Sequence, residues 1–469
     1  MITRGEPRGT PPGEVAISGG SPLHGELAVP GDKSISHRAI MVASLAEGTS
    51  VIAGLCPGAD VEATRMLAQA LGATMTTGSA GDELRVSGGA GRLTEPTSTV
   101  HAGNSGTTMR LGAGLVAGFP FQVRFDGDES LSKRPMDRIA LPLKLMGATV
   151  EGRGPSCLPP ITVRGPGTGG SLQGIDYSPP VASAQVKSAI LLAGLNADGV
   201  TRVSESLVSR RHTEEILSLA GADIEVHEPL RAQDPTVVEV RRSTLSAFEM
   251  RVPGDPSQAA FWIVGALLVP GSSVRVKGIY DGPARTGFLQ VLERMGADLD
   301  ITVSYPPAEP SPAASGGAEP AIRSRTIDVM ARHSELEGTV VHGAEIPGLD
   351  EIPILAVAAA AAKGTTVFHE VGELRVKESD RLAATSRLVT SLGATAEVRG
   401  NDLVVRGTAV IRPATTDAGG DHRMAMSAAI AALAAPGARS LVRGFDSVVT
   451  SYPSFVEDLV ELAGPDALG

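Results

Sequence analysis

The stretch Leu145-Met146-Gly147-Ala148-Thr149-Val150 closes a helical pattern with a glycine and then turns into an alternating strand pattern. The same junction, a helical run followed by Gly-Ala-Thr or Gly-Ala-Asp, recurs at Gly72, Gly221, Gly296 and Gly393. The intervals between these glycines are 75, 74, 75 and 97 residues. The last interval contains 305–325 (YPPAEPSPAASGGAEPAIRSR), whose Pro, Ala, Gly and Ser content reads as a flexible surface insertion. Removing it restores the period. Each glycine is expected to cap its helix in the left-handed conformation before the chain enters a strand. A degenerate sixth copy is read at Leu462-Ala463-Gly464. The chain is therefore read as α/β, built from six repeated α/β units, each large enough for two helices and several strands.

The chain has 469 residues, 42% of them hydrophobic, and a net charge of −11. With 3% aromatic residues it lacks both the basic field and the stacking platforms of a nucleic-acid binder. Any basic site must be local, built against the global charge. Cys56 and Cys157 make neither a ligand set nor a disulfide framework, as fits a reducing, cytoplasmic setting. Residues 1–15 hold no apolar run, so a loose tail and no signal peptide is expected there. The apolar run 354–362 is too short to span a bilayer.

Against this acidic background, cations gather at helix entrances. Arg375-Val-Lys-Glu-Ser-Asp-Arg381 has five charged residues out of seven. Ser379 is read as the N-cap of the helix that follows, with Arg381 in its first turn. Taken alone, the run reads as a solvated helix entrance. In Pro30-Gly-Asp-Lys-Ser-Ile-Ser-His-Arg38, Lys33 and Arg38 bracket Ser34 and Ser36 at the start of another helix, a composition that suits phosphate or carboxylate as well as a capped surface helix. Gly103-Asn-Ser-Gly-Thr-Thr-Met-Arg110 offers small residues through which backbone N–H groups can approach an anion, but it is not a P-loop. Arg134 precedes a proline; by itself it is expected to pair with Asp137 or Glu129. Ser183 is a natural cap for the helix containing Gln185, and Ser209-Arg210-Arg211 stands at a further entrance. Asp421-His422-Arg423 opens an Ala-rich, apolar helix, where solvated charge fits poorly. Asp350 and Glu351 precede the apolar helix from Ile352, where a carboxylate can be a cap or a general base. If Lys33, Arg38, Arg134, Arg210, Lys377, Arg381 and Arg423 converge, they bind more than one phosphate or carboxylate. Asp350 and Glu378 are then the proton-transfer groups.

Together the strings PGDKSISHRA, GNSGTTMRL, KRPMDR, SAQVKSAILLAGL, RVKESDRL and DHRMAMS resemble the 5-enolpyruvylshikimate-3-phosphate synthase family, in family order and over nearly the whole chain. SAQVKS and SRRHTE are similar to its class II branch. The resemblance implies the enolpyruvyl transferase fold, an inside-out α/β barrel of two similar domains with three repeats each. The domains would be 1–32 with 254–469, and 33–253, the chain crossing near Asp32 and near Gly254-Asp255. It implies enolpyruvyl transfer from phosphoenolpyruvate to the 5-hydroxyl of shikimate 3-phosphate, with release of phosphate, through a tetrahedral intermediate. Lys33, Ser34 and Arg38 would face both substrates. Ser183, Gln185, Arg210 and Lys377 would bind shikimate 3-phosphate; Gly106, Arg134, Arg381 and Arg423 would hold phosphoenolpyruvate. Asp350 would take the hydroxyl proton, and Glu378 would protonate the methylene carbon, with Lys33 and His422 assisting. No cofactor, metal, nucleic acid or membrane is implied; a cytoplasmic monomer that closes on its substrates is expected. Glycine at position 106 implies sensitivity to glyphosate.

Three positions depart from the family pattern: Thr450 and Glu373 stand where other members have lysine and asparagine, and Ala184 replaces a serine. The sister transferase acting on UDP-N-acetylglucosamine is disfavoured, because Glu129 stands at its reactive-cysteine position and Lys33-Ser34 replaces its Lys-Asn. A non-catalytic anion binder would not need Asp350 and Glu378 beside the cations.

Overall fold

All five repeat glycines take positive φ, from 80° to 105°, directly after the helix C-cap residues Leu71, Met146, Ala220, Met295 and Leu392. A side chain there would force the left-handed region on an L-residue, so the helix stop and the turn into the strand are written in the backbone itself. The computed structural model describes residues 13–78, 81–89, 93–167, 169–231, 234–304 and 325–468. The insertion expected at 305–325 lies outside them except for Arg325. The tail expected at 1–15 lies outside them except for its last three residues, and there the expectation fails. Glu14–Ile17 is a strand paired antiparallel with Ser440–Arg443, burying Ile17.

The chain forms two compact units, one of residues 13–29, 254–304 and 325–468, the other of 30–253. Each unit is a threefold repetition of one motif. In the 30–253 unit, Glu249–Arg251 pairs parallel with Gly48–Ala53, which pairs antiparallel with Glu83–Gly88, which pairs antiparallel with Thr74–Thr77. The order recurs in the sheet of Val100–His101, Gln122–Asp126, Leu158–Arg164 and Thr149–Arg153, and in that of Asp176–Tyr177, Val200–Glu205, Thr236–Arg241 and Ile224–His227. The other unit has it twice, in His24–Leu27, Ser273–Tyr280, Thr326–Arg332 and Asp298–Ser304, and in Val340–His342, Thr365–His369, Asp402–Arg406 and Thr395–Arg399. The sixth copy is incomplete. Thr415–Asp417 pairs parallel with Ser440–Arg443, and Glu14–Ile17 supplies the antiparallel partner. After Gly464 the chain makes a short 3-10 turn, Pro465–Ala467, instead of a strand.

Two kinds of helix serve these sheets. Lys33–Leu45, Gly106–Val116 and Ala184–Gly194 in one unit, and Pro256–Leu268, Ile352–Ala361 and His422–Ala434 in the other, are buried along nearly their whole length. Beyond the first two turns, where the charged residues lie, their sequences are apolar or small, as a fully enclosed helix requires. The helices that run into the repeat glycines are amphipathic and bury one face. Packing among the enclosed helices is close. A Cβ on Gly114 would lie 2.3 Å from the Ala189 carbonyl oxygen, so Gly106–Val116 and Ala184–Gly194 meet backbone to backbone. Among the described residues, no helix is long and apolar enough to cross a membrane.

Within each unit the enclosed helices begin close together, and their first turns carry the charged motifs. Capping is by side chain at five of the six: Asp32 to Ile35 N, Ser105 to Thr108 N, Ser183 to Val186 N, Asp255 to Ser257 N and Asp421 to Arg423 N.

Gly114→Ala, which needs two helices to move apart, is expected to cost about 3 kcal/mol. Gly147→Ala, strained in φ but facing open space, costs about 1–2 kcal/mol. Urea unfolding of the two variants gives this ranking if the enclosed helices carry the core.

Candidate active site

In the 30–253 unit, the enclosed-helix entrances are linked to one another by cationic side chains. Arg38, 3% exposed, donates from Nε to Thr213 Oγ1 at 2.7 Å, from Nη2 to Ser188 Oγ at 2.7 Å and from Nη1 to the Ser34 carbonyl at 2.9 Å. Arg210 Nη1 donates to Ser34 Oγ at 3.1 Å. Lys33 Nζ lies 2.8 Å from Asp60 Oδ2. Behind it, burial first, then Lys33 and Arg38, push the His37 imidazole well below its ordinary pKa and keep it neutral; its Nδ1 is 2.6 Å from Thr64 Oγ1.

A second group forms at the Gly106–Val116 entrance. Arg110 donates to Gln185 Oε1 at 2.6 Å, and Gln185 Nε2 donates to Thr107 Oγ1 at 2.9 Å. Arg134 Nη2 reaches Asn104 Oδ1 at 2.5 Å and Ser130 Oγ at 3.1 Å. Glu129 pairs with Lys133, and Asp137 starts its own helix, while the extended Arg134-Pro135 backbone aims the guanidinium at the Asn104 loop. A Cβ on Gly106 would stand 3.1 Å from Arg110 Nη1 and 3.5 Å from Arg134 Nη1. Glycine here keeps two guanidinium groups accessible to one small anion beside a helix N-terminus. Ser183 spends its hydroxyl on the Val186 N–H.

In the other unit the hub is Arg381, 1% exposed. Its Nε and Nη2 contact the two Asp421 oxygens at 2.7 and 3.2 Å, Nη2 is 2.6 Å from Glu378 Oε2, and Nη1 is 3.2 Å from Asp350 Oδ1. Burial opposes its charge, but Asp421, Glu378 and Asp350 together outweigh that and raise its pKa above the ordinary arginine value. Arg423 Nη2 lies 3.7 Å from Asp350 Oδ2, and Lys377 Nζ 3.9 Å from Asp350 Oδ1 while donating to the Gly348 carbonyl at 3.0 Å. Asp350 is thus faced by three cations. His422 starts the next helix and is buried. The expected cap at Ser379 is corrected: Asp380 caps, accepting from Ala383 N, and Ser379 instead donates to Asp421 Oδ2 at 3.0 Å. The helix starts one residue late because Arg381 must turn inward to Asp421. Arg375 holds the Gly400 carbonyl and Asn401 at the surface. Thr450 ends a 3-10 turn, and Glu373 lies in another.

Sequence reasoning missed several participants. Arg110 and Asp421 stand inside motifs already singled out, with only their spacing to mark them. Lys187 was legible as a lysine on an apolar helix face; it is fully buried, 2.7 Å from both Glu205 and Glu214. Asp60 and Arg285 had no local signal, and Glu351 was read only as a candidate cap or base beside Asp350. Among the described residues, Glu225, His227 and Glu239 bring potential metal-binding atoms together, but on exposed strands already tied to Arg202 and Arg241.

The family model for EPSP synthase (3-phosphoshikimate 1-carboxyvinyltransferase) matches residues 17–459. The chain belongs to the EPSP synthase family. It is 46% identical over 443 residues to the 3-phosphoshikimate 1-carboxyvinyltransferase of Desulforudis audaxviator, covering 94% of this chain and 97% of that one. It is 44% identical over 448 residues to the Synechococcus enzyme (strain JA-3-3Ab), covering 95% and 96%. The EPSP synthase structure from Acinetobacter baumannii matches with a TM-score of 0.79 at 34% identity, over 96% of this chain and 98% of that one. The enolpyruvyl transferase NikO from Streptomyces tendae matches with a TM-score of 0.72 at 20% identity over the same shares, a likeness of fold. The enolpyruvyl transferase fold implied by the resemblance is therefore the fold of this family member.

Arg381→Met leaves Asp421, Glu378 and Asp350 without their shared cation. Breaking a buried ion cluster on one side costs about 3–5 kcal/mol. Urea denaturation is expected to show a loss of that size, against well under 1 kcal/mol for exposed Arg375→Met.

Proposed function

We propose that this chain transfers the enolpyruvyl group of phosphoenolpyruvate to the 5-hydroxyl of shikimate 3-phosphate and releases phosphate, as a cytoplasmic monomer. Family membership over nearly the whole chain supports the reaction. The observation that carries the chemistry is the pairing of two carboxylates, Asp350 and Glu378, on one buried guanidinium, Arg381.

The substrates are anions, and the cationic entrances are where a protein of net charge −11 can receive them. Ser183, Gln185, Arg210 and Lys377 bind shikimate 3-phosphate in this reading, and Lys33, Ser34 and Arg38 serve both substrates. Arg134, Arg423 and the Gly106 backbone hold phosphoenolpyruvate, with Arg110 added by its contact to Gln185. Arg381 joins them only when a substrate anion competes with its carboxylates. That exchange releases Glu378 Oε2 toward the methylene carbon.

Asp350 takes the proton from the 5-hydroxyl. A positioned general base or acid is worth about 10²–10⁴-fold in rate. The hydroxyl oxygen bonds to C2 of phosphoenolpyruvate while C3 gains a proton from Glu378, with Lys33 and His422 assisting. The product of addition is a tetrahedral ketal phosphate. Loss of a C3 proton and of phosphate then gives the enol ether. Glyphosate competes at the Gly106 pocket because no Cβ blocks the Arg110–Arg134 pair.

The test is phosphate release from phosphoenolpyruvate. It is expected to depend on shikimate 3-phosphate, to be inhibited by micromolar glyphosate, and to fall about 10²-fold or more in Glu378→Gln with shikimate 3-phosphate binding retained. No release with both substrates saturating defeats the assignment. Equal turnover in Glu378→Gln removes Glu378 from the mechanism.

A further inference from the structure

We propose that Arg285 is a positioning residue for Asp350, an inference that rests on Asp350 being the base of the reaction above. Arg285 sits in the loop between Ser273–Tyr280 and Gly287–Arg294, and its side chain is 2% exposed. Its Nη2 lies 2.7 Å from Asp255 Oδ1. Its Nη1 donates to Ser257 Oγ at 3.2 Å and lies 3.7 Å from Glu351 Oε1. The Ser257 hydroxyl donates to that same Glu351 oxygen. Asp255 meanwhile caps Pro256–Leu268. One buried guanidinium therefore fastens the entrance of one enclosed helix to Glu351, the residue that follows Asp350.

Two further observations make this anchor mechanical rather than incidental. Leu349, the residue before Asp350, has φ +53°, a left-handed conformation that a branched-chain residue holds only when its surroundings enforce it. The helix that starts two residues after Arg285 also touches the segment leading to Asp350, since a Cβ on Gly287 would lie 2.0 Å from the Glu345 carbonyl oxygen. On its other side Asp350 is drawn by Arg381, Arg423 and Lys377 at 3.2, 3.7 and 3.9 Å. A carboxylate pulled by three cations from a strained turn needs a fixed point behind it. Glu351, locked by Ser257 and Arg285, is that point. The fork of an arginine can hold Asp255, Ser257 and Glu351 together in a way a lysine ammonium cannot.

Arg285→Lys, Glu351→Gln and the double variant of the full chain test this. Folding is followed by circular dichroism and urea unfolding, shikimate 3-phosphate affinity by calorimetry, and turnover by phosphate release. A base displaced by a fraction of an ångström to about 1 Å is expected to cost about 10–100-fold in kcat. Shikimate 3-phosphate affinity should stay within about threefold of wild type, because its other contacts lie elsewhere, and the double variant should be no slower than the slower single one. A merely structural role would lower stability without separating kcat from binding. Folded variants with wild-type kcat overturn the inference, as does a parallel loss of kcat and affinity. If Arg285→Lys does not fold, Glu351→Gln decides alone. A wild-type chain without turnover overturns the functional reading and this inference with it; an active wild type beside unimpaired variants overturns only the inference.

Discussion

The charge of Arg381 cannot be left alone in the interior, and much of the site follows from how it is held. Moving an unpaired guanidinium out of water is too costly for a domain of ordinary stability, so burial at 1% exposure obliges the chain to bring carboxylates to it. It brings three, from three separate places: Glu378 one turn away, Asp421 at the cap of another helix, and Asp350 at the entrance of a third. The hub therefore locates, relative to one another, the carboxylates proposed to move protons and the cations Lys377 and Arg423 beside Asp350. Buried ion clusters of this kind contribute little net stability compared with apolar packing. The proposed chemistry gives such a cluster a role beyond stability.

The threefold repetition makes such a hub possible. Enclosed helices with small or apolar residues beyond their first two turns can pack against each other with their first turns side by side, and sheets cover them outside. Every first turn leaves unpaired backbone N–H groups and a partial positive charge. A capping Asp or Ser uses some of these donors; the rest favour anions. Repetition multiplies one ordinary feature, a helix entrance, until a unit presents three of them together. The residues of the proposed site are then single substitutions on a shared scaffold: Ser34 and Arg38 on one helix, Gly106 and Arg110 on the next, Gln185 on the third.

The repeat was legible in the sequence because its punctuation is local. A positive φ at Gly72, Gly147, Gly221, Gly296 and Gly393 needs glycine whatever surrounds it. Two of the enclosed helices, those from Ile352 and from His422, were legible for a similar reason, as runs too apolar to face water. What escaped was non-local. The cap moved from Ser379 to Asp380 because Ser379 turns to Asp421, 42 residues away in sequence, and Arg134 reaches Asn104, 30 residues away, along a proline-fixed backbone direction. The strand Glu14–Ile17 was invisible because its partner, Ser440–Arg443, lies at the far end of the chain. Arg285 is the extreme case, since it belongs to no motif and its meaning comes only from its contacts with Asp255, Ser257 and Glu351.

The central claim is that the carboxylates on Arg381 add a proton to the enolpyruvyl methylene carbon and remove one again. Running the reaction in deuterium oxide and examining the product by NMR or mass spectrometry tests it most directly. If protonation at C3 precedes elimination, a share of the product molecules carries deuterium in the methylene group, and Glu378→Gln loses that incorporation along with turnover. Product formed in deuterium oxide with no deuterium in the methylene group would contradict the account.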